Sequence, residues 1–245
     1  MNPPLLTKQL QVRVDGGASG AENMRRDMEM VRQCANGAVG RVLRLYWFDP
    51  PCLSIGRMQQ PGDVDVEACR RNGIDVVQRP SGGRAVLHLD EVTYALVCRT
   101  DDPDFGGDVL TSCARMHEAV ARGLRALGAV TTPHSVAGAA SADARASASV
   151  ADCFARPAAH ELLDSDGAKL VGSAQARLGG ALLQHGSVLL QPSRAARYLR
   201  EASDHRSAAR DAPSTRGLYA LAGRRFDRSE VAAALAAGFS QISSV

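Results

Sequence analysis

The chain has 245 residues, a formal net charge of +3, 45% hydrophobic and 22% charged residues. That length suits one large domain or two small ones sharing a core, and the composition is that of a globular protein. The small, dispersed positive charge gives no reason for a nucleic-acid surface, and no run of 18 apolar residues offers a membrane span.

Met1 to Lys8 lack the apolar stretch and cleavage site of a secretory signal. Six cysteines, at 34, 52, 69, 98, 113 and 153, form no Cys-x-x-Cys pair and no zinc-like spacing, so no metal site is expected. Cys34, Cys69, Cys98 and Cys113 fall in apolar patterns and read as buried small hydrophobes. A cytoplasmic location follows as the expectation, with reduced thiols and no membrane or nucleic-acid partner.

Leu10 to Val14 alternates and predicts an edge strand. Ala21 to Ala35 carries Met24, Met28, Val31 and Ala35 at helical spacing, a surface helix with one apolar stripe. Val42 to Phe48 and Cys52 to Gly56 are strands separated by Asp49-Pro50-Pro51. Asp63 reads as an N-cap and Gly73 as a stop, which predicts a short helix over Val64 to Asn72. Ile74 to Val77, Arg84 to His88 and Val92 to Cys98 are strand-like, with Ser81-Gly82-Gly83 read as a hairpin turn between the first two.

Thr111 to Leu127 puts Met116, Val120, Leu124 and Leu127 on one helical face. Residues 134 to 150 are rich in Ala and Ser and read as a mobile loop leading to Cys153. Three strands follow: His160 to Leu163, Lys169 to Arg177 and Ala181 to Leu190, joined at Asp164–Gly167 and Gly179-Gly180. Ser193 to Ala202 is a helix candidate and 203 to 217 is irregular. Asp227 with Glu230 forms a capping box, with Phe226 stapled onto Val231, opening a last helix to about Phe239. Antiparallel strand groups separated by helices place the chain in the α+β class. The simplest partition is a single domain over 1–245 with a small C-terminal helical extension, about 193–245.

The chemistry centres on two stretches. In the first, Arg79-Pro-Ser-Gly-Gly-Arg-Ala, paired glycines let the backbone approach a ligand and aim N–H groups at an anion. Arg79 and Arg84 flank that turn with fixed charge suited to a carboxylate or phosphate. A tight turn with two solvated arginines is the alternative. The second stretch contains Cys153-Phe-Ala-Arg-Pro, Gly167-Ala-Lys-Leu-Val-Gly-Ser-Ala-Gln and Gln184-His-Gly.

In that order and spacing, over about Val14 to Ser240, these stretches resemble the lipoate/octanoate branch of the biotin/lipoate protein ligase superfamily. The resemblance is closest to its LipM-type octanoyltransferases, which are related to lipoate–protein ligase A. It implies a biotin/lipoate ligase-like catalytic fold with mixed and antiparallel sheets packed with helices. It also implies Cys153 as the carrier of an acyl thioester and Lys169 as a second catalytic residue. An ammonium beside a thiol favours thiolate and steadies charge on an acyl oxygen. Taken alone, Cys153 reads as structural and Lys169 as an exposed lysine whose change to alanine leaves the fold intact.

The substrate-binding positions implied are Arg79, Ser81, Gly82, Gly83, Arg84, Ala85, His88, Gly172, Ser173, Ala174, His185 and Gly186. His88 and His185 support the site, and each could equally be a satisfied structural histidine. Val86, Leu87, Val171 and Leu183 are expected to floor a narrow apolar pocket. Asn23, Met24 and Asp27 match a family helix facing the pocket. Because Arg25 and Arg26 replace smaller residues there, the helix is left outside the site, and Asp90 is given no role.

The reaction implied moves an octanoyl group from an acyl carrier protein or H protein, through Cys153, to the lysine of a lipoyl domain, with no cofactor. The rival is an ATP-dependent lipoate–protein ligase using Mg²⁺, with Cys153 a bystander. A non-catalytic binding subunit is the third reading.

Overall fold

A computed structural model describes residues 9–133, 161–200 and 215–242 of the chain. The strands are β1 Leu10–Ala18, β2 Arg41–Phe48, β3 Cys52–Ile55, β4 Asp75–Gln78, β5 Val86–His88, β6 Glu91–Arg99, β7 Thr132–Pro133, β8 Leu162–Leu163, β9 Lys169–Leu178 and β10 Ala181–Leu189. The helices are α1 Gly20–Ala35, α2 Val66–Arg71, α3 Val109–Ala126, α4 Leu218–Ala222 and α5 Arg228–Ser240. Among the described residues the strands make a seven-stranded sheet, β1-β2-β6-β10-β9-β8-β7, and a three-stranded one, β4-β3-β5. The pairs β1–β2 and β3–β4 are parallel and the others antiparallel, so the fold is mixed α+β.

Period-two alternation along β2, β6 and β10 divides the large sheet into two faces. Leu43, Leu45, Tyr94, Leu96 and Leu182 pack with Met116, Val120 and Leu124 of α3 and with Leu235 and Phe239 of α5. Val42, Tyr46, Ala95, Val97 and Leu183 face the other way, onto Met24, Met30, Val31 and Cys34 of α1. The small sheet has its own cluster of Leu53, Ile55, Ala85 and Leu87 with Cys69 of α2. Where α3 crosses α5 the backbones nearly touch: a Cβ at Gly123 would lie 2.7 Å from the Ala234 carbonyl oxygen.

Several expectations are corrected. The run around Gly82-Gly83 does not close a hairpin, because β4 and β5 lie on opposite sides of β3 and residues 79–85 arch over that strand. The helix expected from Val64 begins at Val66. Its N-cap is Asp65, whose carboxylate accepts from Ala68 N at 2.9 Å, while Asp63 ends a 3-10 turn over Pro61–Asp63.

Within the helix candidate from Ser193, Ala195–Tyr198 form only a 3-10 turn. Asp227 caps α5 by position, yet its side chain makes no capping hydrogen bond. Glu230 instead accepts from Arg224 at 2.6 Å. Cys113 is half-buried rather than buried, whereas Cys34, Cys52, Cys69 and Cys98 are buried free thiols. The loop expected over 134–150, and Cys153 with it, lie outside the described residues. Among the described residues no helix is long and apolar enough to cross a membrane.

Candidate active site

Between the two sheets lies a narrow cleft. Met24 of α1 closes one side. Ser54 of β3 and Val86 and His88 of β5 line it from the small sheet. Tyr46 and Phe48 of β2, Gly172, Ser173 and Ala174 of β9 and His185, Gly186 and Ser187 of β10 line it from the large sheet, and Arg79 lines it too. Of the residues expected to bind substrate, Arg79, His88, Gly172, Ser173, Ala174, His185 and Gly186 thus come together.

The floor differs from the expectation. Val86 lines the cleft, but Leu87, Val171 and Leu183 point into three separate hydrophobic clusters. Ala85 is likewise buried in the small-sheet cluster, away from the cleft.

Arg79 is buried, and its guanidinium binds its own loop. Nη2 donates to the carbonyls of Gly82 at 2.8 Å and Arg84 at 2.6 Å, and Nη1 donates to Ser54 O at 3.1 Å. Nε donates to Ser81 Oγ at 3.2 Å. The charge expected to meet a substrate anion is spent on holding residues 79–85 in place. Ser81 is fully buried behind the cleft, and Arg84 is half-buried. Gly83 sits at φ 86°, where a side chain is strained. A Cβ there would come within 2.9 Å of Arg79 Nη2 and 3.8 Å of Ala174 Cβ, so the loop tip faces β9.

His88 stacks on Phe48 with ring centroids 3.9 Å apart, and its Nε2 lies 2.8 Å from Ser54 Oγ. Burial, then the charges of Arg79 and His185, push its pKa well below the ordinary histidine value, so the ring is neutral. His185 joins Ser81 Oγ through Nε2 at 2.5 Å and Asp27 Oδ2 through Nδ1 at 3.2 Å. Ser173 is held by Tyr94 Oη at 2.7 Å and His117 Nε2 at 2.9 Å. Cys113, 3.6 Å from His117, is pushed up to about 11 by burial and then by Glu161, so it is not a thiolate at neutral pH.

Lys169 opens β9. It is buried, not exposed, and its Nζ donates to Glu161 Oε1 at 2.6 Å. It does not line the cleft itself, lying three positions before Gly172 on the same strand.

Sequence reasoning missed Glu161, Ser54 and Ser187, and it wrongly set α1 aside. Arg25 and Arg26 turn outward onto Glu22, while Met24 lines the cleft and Asp27 reaches His185. The outward exit of the two arginines is readable from helical spacing, since residues 23, 24, 27, 30, 31 and 34 share the buried face. Asp90 accepts from Gln191 Nε2 at 3.3 Å, outside the cleft. Among the described residues no group of three or more His, Cys, Asp or Glu could hold a metal.

A cleft lined by apolar side chains, small β9 residues and a neutral imidazole, with the Arg79 guanidinium held by its own loop, suits a thin, uncharged chain. Comparison with known proteins agrees with this geometry. The family described as lipoyl protein ligase A/B catalytic domain matches residues 19–240. The octanoyltransferase LipM of Kyrpidia tusciae is 41% identical over 236 residues, 92% of this chain and 84% of that protein.

The LipM of Carboxydothermus hydrogenoformans is 34% identical over 91% of this chain and 82% of its own length. That of Moorella thermoacetica is 42% identical over 69% of this chain, and the match spans 60% of that protein. A crystal structure of lipoate-protein ligase A bound with ATP superposes with a TM-score of 0.73 at 22% identity, covering 96% of this chain and 85% of that one. With the family matched from the first turn of α1 to the end of α5, the chain belongs to the lipoyl protein ligase A/B catalytic domain family.

Proposed function

We propose that this chain is an octanoyltransferase of lipoate assembly, working as a single catalytic domain with its C-terminal helices. The observation that carries the reading is its likeness to LipM octanoyltransferases along nine-tenths of its length. The cleft geometry supports it. Thiolate of Cys153 attacks the octanoyl thioester of an acyl carrier protein or H protein, forming octanoyl-Cys153 and releasing the carrier's thiol. The amine of a lipoyl-domain lysine then attacks octanoyl-Cys153, yielding the amide and returning the thiol. Exchange between two thioesters is nearly isoenergetic, so the sequence needs neither ATP nor metal.

In this reading the Lys169 ammonium favours the thiolate and steadies the acyl oxygen as charge develops on it. The residues around the cleft hold the acyl chain. The buried free thiols suit a reducing compartment, the cytoplasm.

Incubating the protein with octanoyl-carrier protein and following its intact mass tests the reading. An octanoyl adduct is expected, absent in Cys153→Ala and chased onto apo-lipoyl domain without ATP. Modification of lipoyl domain by free octanoate or lipoate only with ATP and Mg²⁺, retained in Cys153→Ala, replaces the transferase with a ligase.

A further inference from the structure

The hydrogen bonds around Arg79 run in one direction each, and they continue well beyond the cleft wall. Asp27 is fully buried and accepts from Arg44 Nη1 at 2.8 Å and Tyr46 Oη at 2.9 Å. Arg44 is itself held by Asn23 Oδ1 and Asp15 Oδ2, each at 2.6 Å. A carboxylate only accepts, so His185 Nδ1 carries the proton it gives to Asp27. Ser81 Oγ accepts from Arg79 Nε and lies 2.5 Å from His185 Nε2.

A second line is built the same way. Ser54 Oγ accepts from Arg79 Nη1 at 3.3 Å and lies 2.8 Å from His88 Nε2. His88 Nδ1 lies 3.2 Å from Ser187 Oγ. Ser187 Oγ lies 3.1 Å from Thr93 Oγ1, which donates to Glu91 Oε2 at 2.5 Å.

We propose that Asp27 and Glu91 are positioning residues for the acyl site: each orients one histidine, each histidine one serine, and the two serines aim the Arg79 guanidinium whose remaining N–H groups pin the Gly82 and Arg84 carbonyls. This rests on the reading that the 79–85 loop walls the acyl-binding cleft. The loop contains two adjacent glycines and lies between strands that do not pair with each other, so it lacks the ladder bonds that fix a hairpin.

The line Ser81–His185–Asp27 has the order of a hydrolytic triad, and the structure rules against that use. Ser81 is fully buried, does not line the cleft, and its oxygen meets a guanidinium N–H rather than open space. The line fixes geometry instead of supplying a nucleophile.

Long-range ¹⁵N–¹H spectra of the imidazoles in the full chain test the proposal without substrate. His185 and His88, assigned through His185→Gln and His88→Gln, are each expected to carry a proton on Nδ1. Nε2–H tautomers at both would overturn it. Ser81→Ala deletes one link while leaving no buried charge. With octanoyl-carrier protein it is expected to raise KM about tenfold and leave kcat within about twofold, the mark of a misplaced binding wall.

Asp27→Asn is expected to raise KM likewise, and adding it to Ser81→Ala should bring little further loss, because both sit on one line. Folded Ser81→Ala with an unchanged KM would also overturn the proposal. If the wild-type chain transfers no octanoyl group, the functional reading fails, and the tautomers still decide the positioning network on their own.

Discussion

Replacing Lys169 with alanine separates the chemistry of the site from its architecture. Lys169 and Glu161 are both buried, with Nζ and Oε1 2.6 Å apart. Breaking a buried ion pair by removing one partner costs about 3–5 kcal/mol, since the other charge stays in a poorly solvated place. In a domain of this size each kcal/mol moves the melting temperature by about 2–4 °C, so Lys169→Ala is expected to melt roughly 6–20 °C lower at neutral pH. The expectation that alanine there leaves the fold intact assumed an exposed lysine, whereas Lys169 is buried.

The double variant Lys169→Met/Glu161→Leu removes both charges. It should recover most of the stability, since apolar replacement of a buried pair is often neutral, and it should still form no octanoyl adduct. Urea melts at pH 5 and pH 8, with adduct formation by mass spectrometry, measure all of this. A single variant as stable as wild type at pH 8, or a double variant that still acylates Cys153, would refute the reasoning.

Other outcomes follow from the same coordinates. Gly123→Ala puts a methyl 2.7 Å from Ala234 O and 2.9 Å from Leu235 Cα, prying α3 from α5 at a cost of about 1–3 kcal/mol in denaturant melts. Because α3 also carries His117, which holds Ser173 of the cleft at 2.9 Å, adduct formation per folded molecule should fall along with stability. Burial pushes Glu91 up to about 7, against about 4.3 unfolded. Its contribution to stability is complete below the unfolded value and is lost as pH rises through 7. His88, whose pKa is depressed, runs the opposite way but is common to both proteins. Glu91→Gln should therefore gain stability relative to wild type between pH 5 and pH 8, and a difference constant across that range would contradict the assignment.

How far the sequence was legible depends on the distance over which each feature is decided. Apolar periodicity found α1, α3, β2, β6, β9 and β10 because burying a stripe needs only local spacing. Turn chemistry found Asp164–Gly167 and Gly179-Gly180, both tight links between adjacent antiparallel strands. It misled at Gly82-Gly83, where two strand-like runs close in sequence suggested a hairpin. Nothing local to those runs reveals that Cys52–Ile55, some twenty residues earlier, lies between them. The capping error at Asp63 is of the other kind: Pro61 favours a 3-10 start, and the true cap, Asp65, was two residues on.

Buried charge was the least legible feature, and the site is made of it. Asp27 looks like an exposed residue of a polar helix until Arg44 is brought against it from β2, 17 positions away. Arg79 reads as a cation waiting for an anion until the carbonyls of its own loop are seen to use it. Lys169 was the one case with a readable clue, since an acid eight residues earlier lies across the 164–167 turn.

The common cause is that a charge is placed inside only when its partners are assembled from several elements at once, which no single window of sequence displays. The polar network, anchored at Asp27 and Glu91, props the glycine loop beside the cleft between the two sheets. An enzyme whose substrate is an unbranched acyl chain needs that opening to be narrow and fixed, and the polar residues behind the wall are what fix it.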